Sequence, residues 1–434
     1  GRKATSVDND MGAWSYAYDA LGNLTRQTDA KGQRTCLYYD PLNRLVGKLY
    51  RSDDACPTNP SYVINYRYDE GSNQKGYRTS MSDTTGNTTW SYDARGRMTQ
   101  ERRTVTGTNG GTFTTQWGYN SADLLETMRY PADAAGNPGE TLTTSYLRQG
   151  VASTLGNGTI AYVSSTLYDA TGRVLQLALN NAVYRKASYY AWNTATTGGH
   201  LSAITAGTSP ADTSLLNIPY SAYDANGNIA QYDSNRNYTY DALNRVATES
   251  GLLTNTFSYD TQGRVTNSET ATSLAYPATY NHRASAITPL ASLSIPSYTY
   301  GYDNNGNVIS ITYSGRTPLS LGYDAENHLT SASGSNSQGA TVNDAFRYDG
   351  DGRLVAMTDT TGQVTVLIGG YFEWTGSAAT AKSYYATGGV LIALRVGSNP
   401  DTTGLGWVLT DHLGSLSITT HEDGTRQSEL RYKP

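Results

Sequence analysis

The sequence predicts an all-β fold: a long antiparallel ribbon of hairpins coiled into a hollow β-spiral shell. Three observations predict it. A short phrase, Tyr-Asp-x-x-Gly-(Arg/Asn)-aliphatic, returns along nearly all of the 434 residues. Tyrosine outnumbers phenylalanine 36 to 4. Glycine is abundant at 44, threonine, serine and asparagine are frequent, and only 16% of residues are charged. Self-similarity is sought first because it decides the fold.

Close copies of the phrase begin at Tyr18, Tyr92, Tyr168, Tyr223, Tyr259, Tyr302 and Tyr348. Copies with Asn in place of Gly begin at Tyr39, Tyr240 and Tyr323, and degenerate copies at Tyr68, Tyr119, Tyr146, Tyr190 and Tyr280. Half-copies without the tyrosine stand between them, such as TDAKGQ at Thr28, SDTTGN at Ser82 and TDTTGQ at Thr358. From Tyr259 the intervals to Tyr280, Tyr302 and Tyr323 are 21, 22 and 21 residues.

One copy reads as one hairpin corner. Asp at the head of the turn bonds the backbone two residues on. Gly or Asn then takes the left-handed conformation of a type I turn with a bulge. An aliphatic residue restarts the strand. The turn-forming pairs are Asp19 and Gly22, Asp93 and Gly96, Asp169 and Gly172, Asp224 and Gly227, Asp260 and Gly263, Asp303 and Gly306, and Asp349 and Gly352. A lone hairpin is marginal in water, so the repeats must stack on one another. About fifteen phrases imply roughly thirty strands, a ribbon on the order of 140 Å long at the usual strand spacing. Open sheets rarely pass about ten strands without curling, so the ribbon is expected to coil into a wide spiral with a cavity. Tyrosine suits such a wall, where one end of the ring is packed and the other wet.

Formal net charge is −5 and pI about 5.6, which excludes the clustered basic face of a nucleic-acid binder. No apolar run reaches the 18 or so residues of a membrane span; residues 390–394 fit one buried strand.

The phrase resembles the tyrosine-aspartate (YD) repeat of the RHS family. That family includes bacterial polymorphic toxins, the C-component of insecticidal toxin complexes, and the teneurin adhesion receptors. Residues 406–434 resemble the opening of its core domain, with Asp411-His412-Leu413-Gly414-Ser415 as the usual start. The expected division is therefore 1–404 as repeat shell and 405–434 as the truncated start of a core-like segment. The opening residues GRKATS read as the back half of a repeat, so the chain is expected to be cut from a longer one. The resemblance implies a hollow β-shell that wraps cargo, in toxin members the protein's own C-terminal effector. Family members cut themselves at Asp-Pro motifs downstream of the core. Here Lys433-Pro434 comes before that point, and Asp40-Pro41 belongs to an early repeat, so no protease residue carries over.

Candidate sites reduce to structural readings. Asp411 and His412 read as a turn-lining Asp and a packed His. His200, His282, His328, His412 and His421 lack metal-ligand spacing. Asp349 and Asp351 hint at a calcium loop but lack its third acidic position and distal Glu. Tyrosines could stack on sugars, yet their lock to the turn phrase favours packing in the wall. Cys36 and Cys56 are the only cysteines. In an exported β-rich protein the pair reads as a candidate disulfide; two buried thiols are the alternative.

The expected function is a non-catalytic shell that encapsulates and delivers a C-terminal toxin. It needs no cofactor, metal, nucleic acid or membrane span, and it acts outside the cell or at its surface. An extracellular adhesin facing a neighbouring cell is the alternative, and a polysaccharide-active enzyme the remote third.

Overall fold

The computed structural model describes residues 1–53, 55–132, 139–233, 235–252, 254–278, 282–397 and 402–430. The first two residues of the copy beginning at Tyr280 and the last four residues, 431–434, lie outside them. The described residues form 40 strands and one three-residue 3-10 turn, Ala291–Leu293. The fold is all-β, built as long antiparallel sheets in which strands pair with their neighbours in the chain. Strands exceed the expected thirty because half-copies turn corners too. Asp29 and Asp359, which follow no tyrosine, accept turn amides just as the full copies do.

The corner has one geometry throughout. In the strand Gly12–Tyr18, the register runs Ala17 to Arg26, then slips so that Tyr18 faces Leu24. Between them the Asp19 amide donates to Asn23 O and the Gly22 amide to Asp19 O. The seven turn glycines have φ between 77° and 100°. Asn43, Asn244 and Asn327, each three residues after its Asp, take the same conformation at 60° to 66°. The carboxylate does more than the two-residue bond expected of it. In nine corners, from Asp40 to Asp349, one oxygen accepts the amides two and four residues on at 2.9–3.0 Å. In eight of them the other oxygen accepts from the side chain after the Gly or Asn: Arg44, Arg97, Arg173, Arg245 and Arg264, or Asn228, Asn307 and His328; Asp19 holds Asn23 in the same way, and Asp349 takes Arg103 instead. The Arg97 bond holds the Asp93 carboxyl below its usual range, and the Arg245 bond does so for Asp241.

At most corners a tyrosine reaches back to the corner before it. Tyr39 donates to Leu24 O, Tyr68 to Leu45 O, Tyr240 to Ile229 O, Tyr276 to Val265 O and Tyr323 to Val308 O. Each acceptor is the aliphatic residue that restarts a strand, five places after the previous Asp. Tyr18, Tyr92, Tyr146, Tyr168, Tyr223 and Tyr302 make the same kind of bond, all at 2.6–3.0 Å. Phenylalanine has no hydroxyl to offer, which accounts for its rarity.

Cys36 and Cys56 form a disulfide, with Cα atoms 5.7 Å apart and Cys36 fully buried. It pins the insert after the strand Leu45–Arg51. The Tyr62 ring lies over Gly47, where a side chain would collide with it, and packs 5.1 Å from Tyr38. Tyr38 in turn donates to Pro57 O at 3.0 Å.

The chain packs as two units: 1–112 with 257–367, and 113–256 with 368–434. The second holds a large core that includes Tyr162, Tyr220, Tyr385, Leu409 and Trp407. The first holds a small cluster of Ile64, Tyr66, Met81 and Trp90.

Two predictions rest on this geometry. Gly172 has φ 87° and nothing within 4 Å of where a Cβ would stand. Gly172→Val should therefore cost only backbone strain, about 1–2 kcal/mol, read as a lower urea midpoint at unchanged slope; an unchanged midpoint would contradict the corner. The second concerns base. Burial raises the phenols of Tyr39, Tyr68, Tyr168 and Tyr302, and pushes Tyr223 up to about 12. A raised folded pKa gives stability that is complete below the unfolded value near 10 and lost as pH climbs towards 12. Absorbance at 295 nm should thus rise with loss of the β circular-dichroism signal, in one cooperative step above pH 10. A smooth titration centred at pH 10 with an unchanged β signal would contradict it.

Candidate functional site

Within each unit, two ribbon segments far apart in sequence meet along a seam. Two buried ion pairs, Arg103 with Asp349 and Arg395 with Glu140, lie on these seams. In the first unit the later segment presents its corners to the earlier one. Lys31 pairs with Asp303 at 3.1 Å, Lys48 with Glu326 at 2.8 Å, and Arg78 with both oxygens of Asp351 at 2.8 and 2.6 Å. Arg103 bonds Asp349 at 2.7 Å with both side chains buried. The Gly350 amide donates to Asp83, and its carbonyl accepts from Tyr66 at 2.7 Å. A side chain at Gly350 would run into Ile64 and Met81, so the corner docks by its bare backbone. Exposed ion pairs contribute about 0–1 kcal/mol; breaking a buried one such as Arg103–Asp349 costs about 3–5 kcal/mol. That pair therefore fixes the alignment.

In the second unit the seam is aromatic. Glu140 accepts from Tyr162 and Tyr385 at 2.6 Å each, and from Asn157. Arg395, 1% exposed, donates to Tyr385 at 2.8 Å and to Tyr162, and stands 3.5 Å from Glu140. The two tyrosine rings stack at 4.4 Å. Burial raises both phenols. Tyr130 donates to Tyr384 O at 2.6 Å, Asn181 to Thr420 at 2.9 Å, and Arg185 to Thr410 O at 3.2 Å.

The residues singled out in the sequence fall into this frame. Asp349 and Asp351 stand on the seam, with their oxygens engaged by Arg103, Arg78 and the turn amides. Asp411-His412-Leu413-Gly414-Ser415 is a further corner, with Thr410 in the tyrosine position and Gly414 at φ 83°. Its Asp and His sit in the turn rather than on a strand. Asp411 takes the amides of Leu413 and Ser415 at 2.9 and 2.8 Å, while His412 meets the Tyr220 hydroxyl through Nδ1 at 2.8 Å. Desolvation lowers the His412 pKa. His282 pairs with Asp10 at 2.9 Å, and His200 and His328 stack on Tyr223 and Tyr348. Among the described residues no group of three or more His, Cys, Asp or Glu is placed to hold a metal, and no helix is long and apolar enough to cross a membrane.

Sequence reasoning passed over the seam residues: Lys48, Arg78, Arg103, Glu140, Tyr162, Gly350, Tyr385 and Arg395. A charge count by segment was the available signal. Residues 1–112 carry 15 Lys and Arg against 12 Asp and Glu, whereas 257–367 carry 5 against 9. This arrangement spends its charges on holding backbone together.

Residues 247–366 match the family model Teneurin YD-shell, and residues 13–54 match RHS Repeat. No curated protein matches the chain. Among solved structures it is similar along its whole length to the Photorhabdus luminescens Tc holotoxin pore, at 17% identity and TM-score 0.75. The TcdB2-TccC3-TEV crystal structure gives 18% and 0.77, and TcdB2-TccC3 without its hypervariable C-terminal region 16% and 0.64, again over the whole chain. The chain spans about a quarter of each, 24%. These likenesses establish a shared fold. With the repeated corner, the tyrosine ladder and the two family models in agreement, the chain carries the repeat of the RHS, or YD-repeat, family.

Proposed function

We propose that this chain is part of the wall of a hollow shell that encloses and delivers a toxin, the C-terminal part of its own parent protein. The observation that carries the reading is the seam. In each unit it closes ribbon on ribbon through contacts some 190 to 300 residues apart, made by the chain's own side chains and backbone. A wall that supports itself can hold cargo without using that cargo as its core. The fold shared with the Tc toxin structures supports the same reading. The wall itself performs no catalysis. The strands from Leu405 onward open the core-like segment that leads to the cargo. The disulfide fits an oxidising destination, hence export to the cell exterior or surface.

The test is protease protection. The parent protein with its native C-terminus is treated with trypsin beside the same C-terminal domain made alone. The account expects the enclosed domain to outlast the free one. Equal digestion would overturn encapsulation and favour an adhesin facing a neighbouring cell.

A further inference from the structure

The corners of this chain contain a repeated seat for a guanidinium. In three of them the arginine four places after the Asp bonds the outer carboxylate oxygen and lies over a tyrosine ring. Arg44 bonds Asp40 at 2.7 Å and stands 4.4 Å from the Tyr68 ring centre. Arg173 bonds Asp169 at 2.6 Å and stands 3.8 Å from Tyr189. Arg264 bonds Asp260 at 2.5 Å and stands 4.6 Å from Tyr276. A carboxylate and an aromatic face together suit a flat cation that donates in its plane and stacks above it.

At the Asp411 corner the fourth place is Ser415, too short to reach the outer oxygen. Asp411 is 7% exposed. One oxygen takes the amides of Leu413 and Ser415, and among the described residues nothing donates to the other. Asp411 and Ser415 line a cleft of about 350 Å³ together with Tyr232, Tyr238 and Tyr240. The outer oxygen is therefore the one carboxylate acceptor of this corner left without a protein donor among those residues. From the three filled corners the geometry points to a binding site here for the guanidinium of an arginine side chain on a partner peptide.

The local charge permits it. Arg236 lines the same cleft and opposes a second positive group, and Arg185 sits behind the corner on Thr410 O. Asp233 and Glu249 stand within electrostatic reach of Tyr238, as Arg236 does, and offset the charge of Arg236 beside the cleft. A neutral sugar would use the tyrosine faces equally well but would bring no cationic donor to the outer oxygen.

The chain supplies its own control. At the Asn336 corner, Asn keeps both amide bonds, at 2.9 and 3.0 Å, with Gly339 at φ 83°. Asp411→Asn should therefore remove the charge and keep the turn. The experiment is saturation-transfer NMR on the full chain with N-acetyl-arginine methylamide, its neutral citrulline analogue and a methyl glucoside. Saturation of the arginine probe at its δ-methylene is expected, with affinity about tenfold weaker for citrulline and for Asp411→Asn. Ser415→Arg should fill the cleft with its own guanidinium and abolish probe binding without lowering the melting temperature; if that variant does not fold, Asp411→Asn decides alone. Equal binding to Asp411→Asn, or equal binding of citrulline, overturns the proposal. No saturation by the arginine probe overturns it too and leaves water as the carboxylate's partner. A glucoside that binds where the arginine probe does not would mark a sugar site instead.

Discussion

A phenol hydroxyl that must reach a main-chain carbonyl one corner away sets the spacing of this ribbon. The tyrosine ring is long enough to cross from its own strand end to the strand that leaves the previous corner. There it caps a carbonyl at a corner, where the bulge has shifted the strand register. The bond fixes the distance between successive corners, and so fixes where the aspartate must stand. Closure by Asp is the second half of the same device. One carboxylate oxygen gathers two amides that the bulge would otherwise leave without partners, and the other locks the next side chain. Each unit is small, each bond contributes about 1 kcal/mol, and the array is stable because the unit is repeated.

The seams follow from the corners. A corner with its carboxylate already satisfied presents a compact, acidic knob with bare backbone at its tip. In the first unit such knobs dock onto basic residues of an earlier segment, with Arg103 and Asp349 buried between them. In the second unit the docking is done by tyrosines around Arg395 and Glu140. Both solutions pair the charge at their centre, Arg103 with Asp349 and Arg395 with Glu140, as a low-dielectric interior demands. Two chemistries for one task leave the two units with different sensitivities: salt and acid weaken ion pairs more than they weaken an aromatic core.

How far this was legible in the sequence depends on range. The β class and the corners are local, and the period, the Gly or Asn at a left-handed position and the Asp at the turn head are enough to place them. The Arg or Asn after the glycine was visible in the phrase, and its bond to the outer oxygen follows from reach alone, yet the eye took it as mere strand start. The tyrosine excess signalled a half-wet ring without telling what its hydroxyl meets. Strand number was underestimated because corners such as Asp29 and Asp359 lack the tyrosine that marks the rest. The seams were not legible: Lys48 with Glu326 and Arg395 with Glu140 join residues more than 240 places apart, and no local pattern announces such a pair. The unsatisfied oxygen of Asp411 lay hidden for the same reason, since Ser415 is unremarkable until the other corners show what usually stands there.

The account turns on the hydroxyl, and removing it alone is the most direct test. Tyr168→Phe and Tyr302→Phe each delete one ladder bond, to Ala152 O and Ala284 O, and keep the ring. Tyr184→Phe serves as the control, since its hydroxyl has no partner among the described residues. Urea unfolding should show each ladder variant destabilised by about 1 kcal/mol at unchanged slope, with Tyr184→Phe unmoved. Ladder variants that unfold at the midpoint of the control would contradict the claim that the phenol bond sets the ribbon.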